Sequence, residues 1–176
     1  MVTIDNTTLA LLLHPNAKPP SDPQTRQPLA RARERIEQLI TDLDAEDERV
    51  LVPTPVLAEL LILAASEGPR YLEAIQASKT LLVRGFDERA AIELAAMELA
   101  ERSRGGKRGG LDSPWQKVKF DRQIVAIAKV NSSHTIYSDD SDVRSFASKA
   151  GLKVVSTWQL PIPASKTPLF DGLPPV

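Results

Sequence analysis

The 176-residue sequence predicts an α/β domain built on a mostly parallel sheet. Two observations carry this. Short apolar runs of strand character alternate with segments of helical spacing, and proline is gathered at two places, five of fourteen within residues 15–28 and five within 161–175. Proline lacks the backbone donor that helices and central strands use. The two segments are therefore read as an early loop insertion and a Pro-rich C-terminal tail, 161–176, leaving one domain over 1–160.

The elements follow in order. Residues 1–4 form a strand that ends at Asp5. Residues 29–43 have helical spacing, with Ile36, Leu39, Ile40 and Leu43 on one face. Residues 49–52 are a short apolar strand. Thr54 and Pro55 open a helix, threonine as N-cap and proline at the first helical position. Residues 69–77 are helical and 80–83 a strand. Asp87 caps a long helix reaching about residue 102, and a Gly-rich loop spans 103–114. A helix over 118–130, a strand over 134–138, a helix over 142–150 stopped by Gly151 and a strand over 152–155 complete the domain. No internal repeat is present.

Composition narrows the function classes. Hydrophobic residues make up 42% and charged residues 26%, so a disordered or fibrous chain is excluded. With no cysteine there is no disulfide framework, thiolate metal site or cysteine nucleophile. The net charge is −1, so nucleic-acid binding requires a local basic patch. The longest stretch with a single charge is residues 50–66, interrupted by Glu59, which falls short of the roughly 20 apolar residues of a membrane span. The apolar run 9–13 is too short for a signal peptide. A soluble, cytoplasmic protein is expected.

Ligands of parallel α/β sheets bind beyond the carboxyl ends of the strands, which gives the acidic residues a meaning. Asp5 ends the first strand. Glu59 lies in a helix whose Val56, Leu57, Leu60, Leu61, Ile62 and Leu63 surround the axis at about 100° per residue, so it is expected to be a carboxylate on a buried helix. Asp121 shares a face with Ile124, Val125 and Ala128, while Arg122 and Lys129 mark a polar side. After the strand 134–138 come Asp139, Asp140 and Asp142. Ser141 can cap the next helix and Asp142 suits its first turn, which leaves Asp139 or Asp140 over. Carboxylates from four segments converging above one sheet edge repel, and a hard divalent cation relieves them. All-oxygen ligands suit Mg²⁺ or Mn²⁺, the equipment of metal-assisted phosphodiester hydrolysis.

Four segments carry a resemblance: Ile4-Asp5-Asn6-Thr7, the run from Thr54 to Leu60 around Glu59, the run from Phe120 to Ala128 that opens with Asp121, and Ser138-Asp139-Asp140-Ser141-Asp142. Together they resemble the acidic motifs of the PIN-domain nucleases, in particular the VapC-type toxins of bacterial toxin–antitoxin pairs. The resemblance implies a Rossmann-like sheet of order 3-2-1-4-5 flanked by helices. It also implies an endoribonuclease using one or two Mg²⁺ or Mn²⁺ ions and leaving a 5′-phosphate and a 3′-hydroxyl. Asp5, Glu59, Asp121 and Asp140 match the acidic quartet as catalytic and metal-binding residues, with Asp142 as an additional acidic position. Asn6, Thr7 and Ser138 match the residues that support them. The sequence departs from the family at Asn6-Thr7, whose order is reversed, and at Val143, where phenylalanine is usual. A cognate antitoxin and a homodimer are implied partners.

Other chemistries fit less well. His14 lies in the Pro-rich loop and His134 on the order of 20 Å from Asp140 along its strand, so a two-histidine ribonuclease mechanism is disfavoured. There is no G-x-S-x-G elbow and no P-loop spacing. A basic patch does exist, since residues 101–122 hold seven Lys/Arg and three acids, a local charge of +4. Arg104, Lys107, Arg108, Lys119 and Arg122 are candidate RNA contacts, and Trp115 could stack on a base. The rival readings are a structure-specific DNA or RNA-processing nuclease, a non-catalytic α/β binding module with salt-bridged carboxylates, and a receiver-like domain. The last lacks a lysine after the final strand, where Ser156-Thr157-Trp158 stands.

Overall fold

The computed structural model describes residues 1–103 and 115–164. Five strands, β1 (Val2–Ile4), β2 (Val50–Pro53), β3 (Leu81–Arg84), β4 (Thr135–Tyr137) and β5 (Lys153–Val155), form one sheet of order β3-β2-β1-β4-β5. Every pairing is parallel. The helices are α1 (Asn6–Leu13), α2 (Ala32–Ala45), α3 (Thr54–Ala64), α4 (Gly68–Ala77), α5 (Glu88–Ser103), α6 (Trp115–Val130) and α7 (Ser141–Lys149).

Side chains alternate across a strand, and here both faces are covered. Val50 and Val52 join Val2, Ile4, Leu9, Ile36, Val56 and Ile75 in one core, whereas Leu51 between them packs with Ala90 and Ile127 in another. Ile136 joins Val118, Val125, Val143 and Phe146 in a third cluster, between β4 and helices α6 and α7. Burial on both faces is why these strands read as apolar runs rather than as alternating patterns.

Four local readings change. Helix α1 was not expected. Asp5 caps it, accepting from Thr8 N–H at 2.8 Å, and Leu9, Leu11, Leu12 and Leu13 are all buried. A helix that is apolar on every side has no 3.6-residue period to detect. Thr54 is the first residue of α3 and Pro53 its cap, with no side-chain capping bond. Helix α6 begins at Trp115, three residues before the expected start. Asp140, not Ser141, caps α7.

Within the Pro-rich insertion, Ser21 and Pro28 form an antiparallel bridge around a turn in which Asp22 Oδ1 accepts from the N–H groups of Gln24 and Thr25 at 2.7 and 3.0 Å. Gly151 adopts φ 79° after α7, a left-handed conformation that suits glycine and ends the helix. The Gly-rich segment 104–114 and tail residues 165–176 lie outside the described residues. Among the described residues, no helix is long and apolar enough to cross a membrane.

Candidate metal centre

The strand order reverses between β1 and β4, and the crevice at the carboxyl ends of these two strands receives the acidic residues. Register sets the first contact. Ile4 lies opposite Tyr137, so Asp5 and Ser138, the next residue of each strand, are neighbours. The Ser138 hydroxyl donates to Asp5 Oδ2 at 2.5 Å and accepts from Asp140 N–H at 3.1 Å. One serine thereby ties two carboxylate-bearing segments together. Asp5 is 4% exposed, and burial pushes its carboxyl up to about 6 although the hydrogen bonds from Ser138 and Thr8 oppose the shift.

Asp140 uses Oδ1 to cap α7, accepting from Asp142 N–H at 2.7 Å and Val143 N–H at 3.4 Å. Its Oδ2 faces the crevice, 2.9 Å from Lys117 Nζ. The same ammonium lies 3.0 Å from Asp121 Oδ2 and 3.0 Å from Asp142 Oδ2. Oxygens of Asp121, Asp140 and Asp142 come within 4.8 Å of one another. Asp121 also titrates near 6, raised by burial, relieved in part by Lys117 and raised again by Asp140 and Asp142. Burial pulls the Lys117 ammonium down, but its three carboxylates outweigh this and hold it above the usual lysine range.

Asp5, Asn6, Thr7, Glu59, Lys117, Asp121, Ile124, Asp140 and Val143 line one open cavity of about 220 Å³. The four carboxylates Asp5, Glu59, Asp121 and Asp140 are thus brought together from β1, α3, α6 and the β4–α7 turn. The tightest group is a different one, Asp121, Asp140 and Asp142, with Asp5 at the floor and Glu59 at the rim. Glu59 is not on a buried helix, because Ile62 is 79% exposed and one side of α3 is open to solvent. Its carboxyl is nonetheless raised, by partial loss of hydration first, with Lys117 lowering it and Asp140 raising it. Asp139 points elsewhere, accepting from Thr157 N–H at 2.9 Å and the Thr157 hydroxyl at 2.5 Å, which leaves Asp140 as the acid on this side of the crevice.

Asn6 and Thr7 both line the cavity, and the backbone bond to Asp5 comes from Thr8 instead. Lys117 is the residue that sequence reasoning missed. It was counted only within the basic stretch, because the helix was read from 118. A start one residue earlier brings Lys117 into the helix at i,i+4 spacing to Asp121.

The candidate RNA contacts separate. Lys119 is exposed on α6. Arg104, Lys107 and Arg108 lie outside the described residues. Arg122 is corrected: it is not on a polar face but fully buried, paired with Glu98, its guanidinium 4.1 Å from the Phe146 ring centre. Packing of α5 and α7 over that side of α6 removes it from solvent. His14 is also buried, accepting from Asn16 N–H at 3.1 Å.

No family model matches the chain. No curated protein matches it. Solved structures do. A chain of the VapBC2 complex of Rickettsia felis, crystallised with a DNA fragment from its promoter, superposes with a TM-score of 0.57 at 13% identity, covering 89% of this chain and 98% of that one. A chain of the DNA-bound VapBC complex of Salmonella typhimurium gives a TM-score of 0.53 at 17% identity, covering 89% and 99%. VapC is a PIN-domain toxin. The fold is that of a PIN domain. The order β3-β2-β1-β4-β5 of this fold sets the acidic crevice at the β1–β4 switch point. The carboxylate set fits a hard divalent ion: every donor is oxygen, three converge on one cation position, and a positive charge is already held there.

Proposed function

We propose that the protein is a Mg²⁺- or Mn²⁺-dependent endoribonuclease and the toxin of a type II toxin–antitoxin pair. The observation that carries this is the convergence of Asp121, Asp140 and Asp142 beside Asp5 and Glu59 at the switch point of a PIN fold. Asp121, Asp140 and Asp142 would hold the ion, with Asp5 and Glu59 completing its surroundings directly or through water. When bound, the ion lowers the pKa of a coordinated water and neutralises charge on the scissile phosphate. Asp5 is held rigid by Ser138 and Thr8, so it orients whatever it contacts. Glu59, raised in pKa and at the open rim, would orient an attacking water and accept its proton.

The basic stretch leading into Asp121 supports a phosphate-backbone substrate, with Arg104, Lys107, Arg108 and Lys119 as its contacts. Ile62, Leu63, Ile92 and Leu99 are large exposed apolar side chains, surface that suits a protein partner. An antitoxin and a second copy of the chain are the partners proposed, and a cytoplasmic setting follows from the toxin reading.

One observation favours a second reading. Lys117 bridges three carboxylates, as a salt-bridged binding module would require. A metal titration separates the two. Saturating Mn²⁺ at about 100 times its Kd stabilises a metal site by about 2.7 kcal/mol, a Tm rise of roughly 5–10 °C for a chain of this size, and EDTA reverses it. The same preparation with Mn²⁺ should cut RNA to 5′-phosphate and 3′-hydroxyl ends, and Asp121→Asn should lose at least 100-fold in rate and the Tm rise. Undiminished cleavage by Asp121→Asn eliminates this mechanism.

A further inference from the structure

Lys117 stands out because its ammonium has three donors and the structure gives each a different carboxylate. The contacts are 2.9 to 3.0 Å long, and they involve Asp121, Asp140 and Asp142, the same three residues whose oxygens gather within 4.8 Å. An ion bonded to those three residues and an ammonium bonded to them occupy the same place. Two cations cannot share it, both for volume and for charge. The lysine can leave: its side chain is 42% exposed and sits in the first turn of α6, on a flexible four-carbon stem.

We propose that Lys117 is a tethered counter-cation of the metal centre, holding Asp121, Asp140 and Asp142 together in the metal-free protein and competing with the divalent ion for them. This rests on the metal-dependent reading above and deepens it. In the metal-free chain the ammonium offsets the repulsion among three crowded carboxylates, so the ligand set stays assembled. Metal binding must expel it, and the lysine therefore weakens apparent metal affinity. The expelled ammonium moves into solvent at the mouth of the crevice.

The test uses the full chain and Mn²⁺ alone, with free Mn²⁺ followed by its electron paramagnetic resonance signal. Lys117→Met removes the competitor and should bind Mn²⁺ at least tenfold more tightly than the unsubstituted chain, with Lys117→Gln as a second neutral variant should the first fail to fold. Lys117→Arg keeps the charge and should gain no affinity. In the unsubstituted chain, saturating Mn²⁺ should raise the acetylation rate of Lys117 at least threefold, read by peptide mass spectrometry against exposed Lys153. Neutral variants that bind no more tightly than the original, or an acetylation rate untouched by Mn²⁺, overturn the competition while leaving the metal site standing. If the unsubstituted chain and the neutral variants all fail to bind Mn²⁺, the metal-dependent reading falls and this inference with it.

Discussion

Replacing Asp5 by asparagine should make the protein more stable at neutral pH while abolishing the RNA cleavage proposed for it. The carboxyl titrates near 6 in the folded chain against an ordinary 3.8. Between these values the folded state binds a proton that the unfolded state has lost, so stability is greatest below about pH 4 and falls as pH rises through 6. A shift of about two units corresponds to about 3 kcal/mol, an upper figure for what the buried charge costs at pH 7.5. Asparagine keeps an acceptor for Thr8 N–H, and its amide can donate to the Ser138 oxygen in place of the bond now running the other way. Urea denaturation of metal-free protein at pH 4 and pH 7.5 measures the effect. Asp5→Asn and the unsubstituted chain should be nearly equal at pH 4, and the variant ahead by up to about 3 kcal/mol at pH 7.5. Asp121, raised to about 6 as well, leaves a residual slope in the variant over the same range. A variant less stable than the original by 1 kcal/mol or so at pH 7.5 would refute the reasoning, since it would mean that the charge at Asp5 is satisfied rather than stranded.

Arg122→Ala should cost about 3 kcal/mol in urea denaturation, because it strands Glu98 and empties the space against Phe146, yet RNA affinity measured in an Asp121→Asn background should not change. Replacing Arg104, Lys107 and Arg108 together by alanine should reduce the slope of log K against log salt for RNA binding by about 2, at roughly 0.7 per phosphate contact, and an unaltered slope removes the segment from the interface.

Much of the site was legible because its chemistry depends on residue type and chain order. Carboxylates at strand ends and on an inward helical face are visible in one dimension, and so Asp5, Asp121 and the Asp139–Asp140 pair could be singled out. The choice within that pair needed Thr157, which engages Asp139 from beyond β5. The environment of Glu59 was misread because an apolar helix does not announce which side lacks a neighbour. Arg122 was misread for the opposite reason: periodicity marks a charged residue as outward, and only the packing of α5 and α7 shows that the polar face is covered.

By itself the sequence determined the alternation of strands and helices and the presence of acids at their junctions, since backbone propensity, proline placement and side-chain type are local properties. Tertiary structure decided which carboxylates gather, that Lys117 is the cation among them, and that Asp142 rather than Asp5 belongs to the tightest group. Those outcomes depend on the register of β1 against β4 and on the approach of α6 to the start of α7, distances that no spacing along the chain encodes.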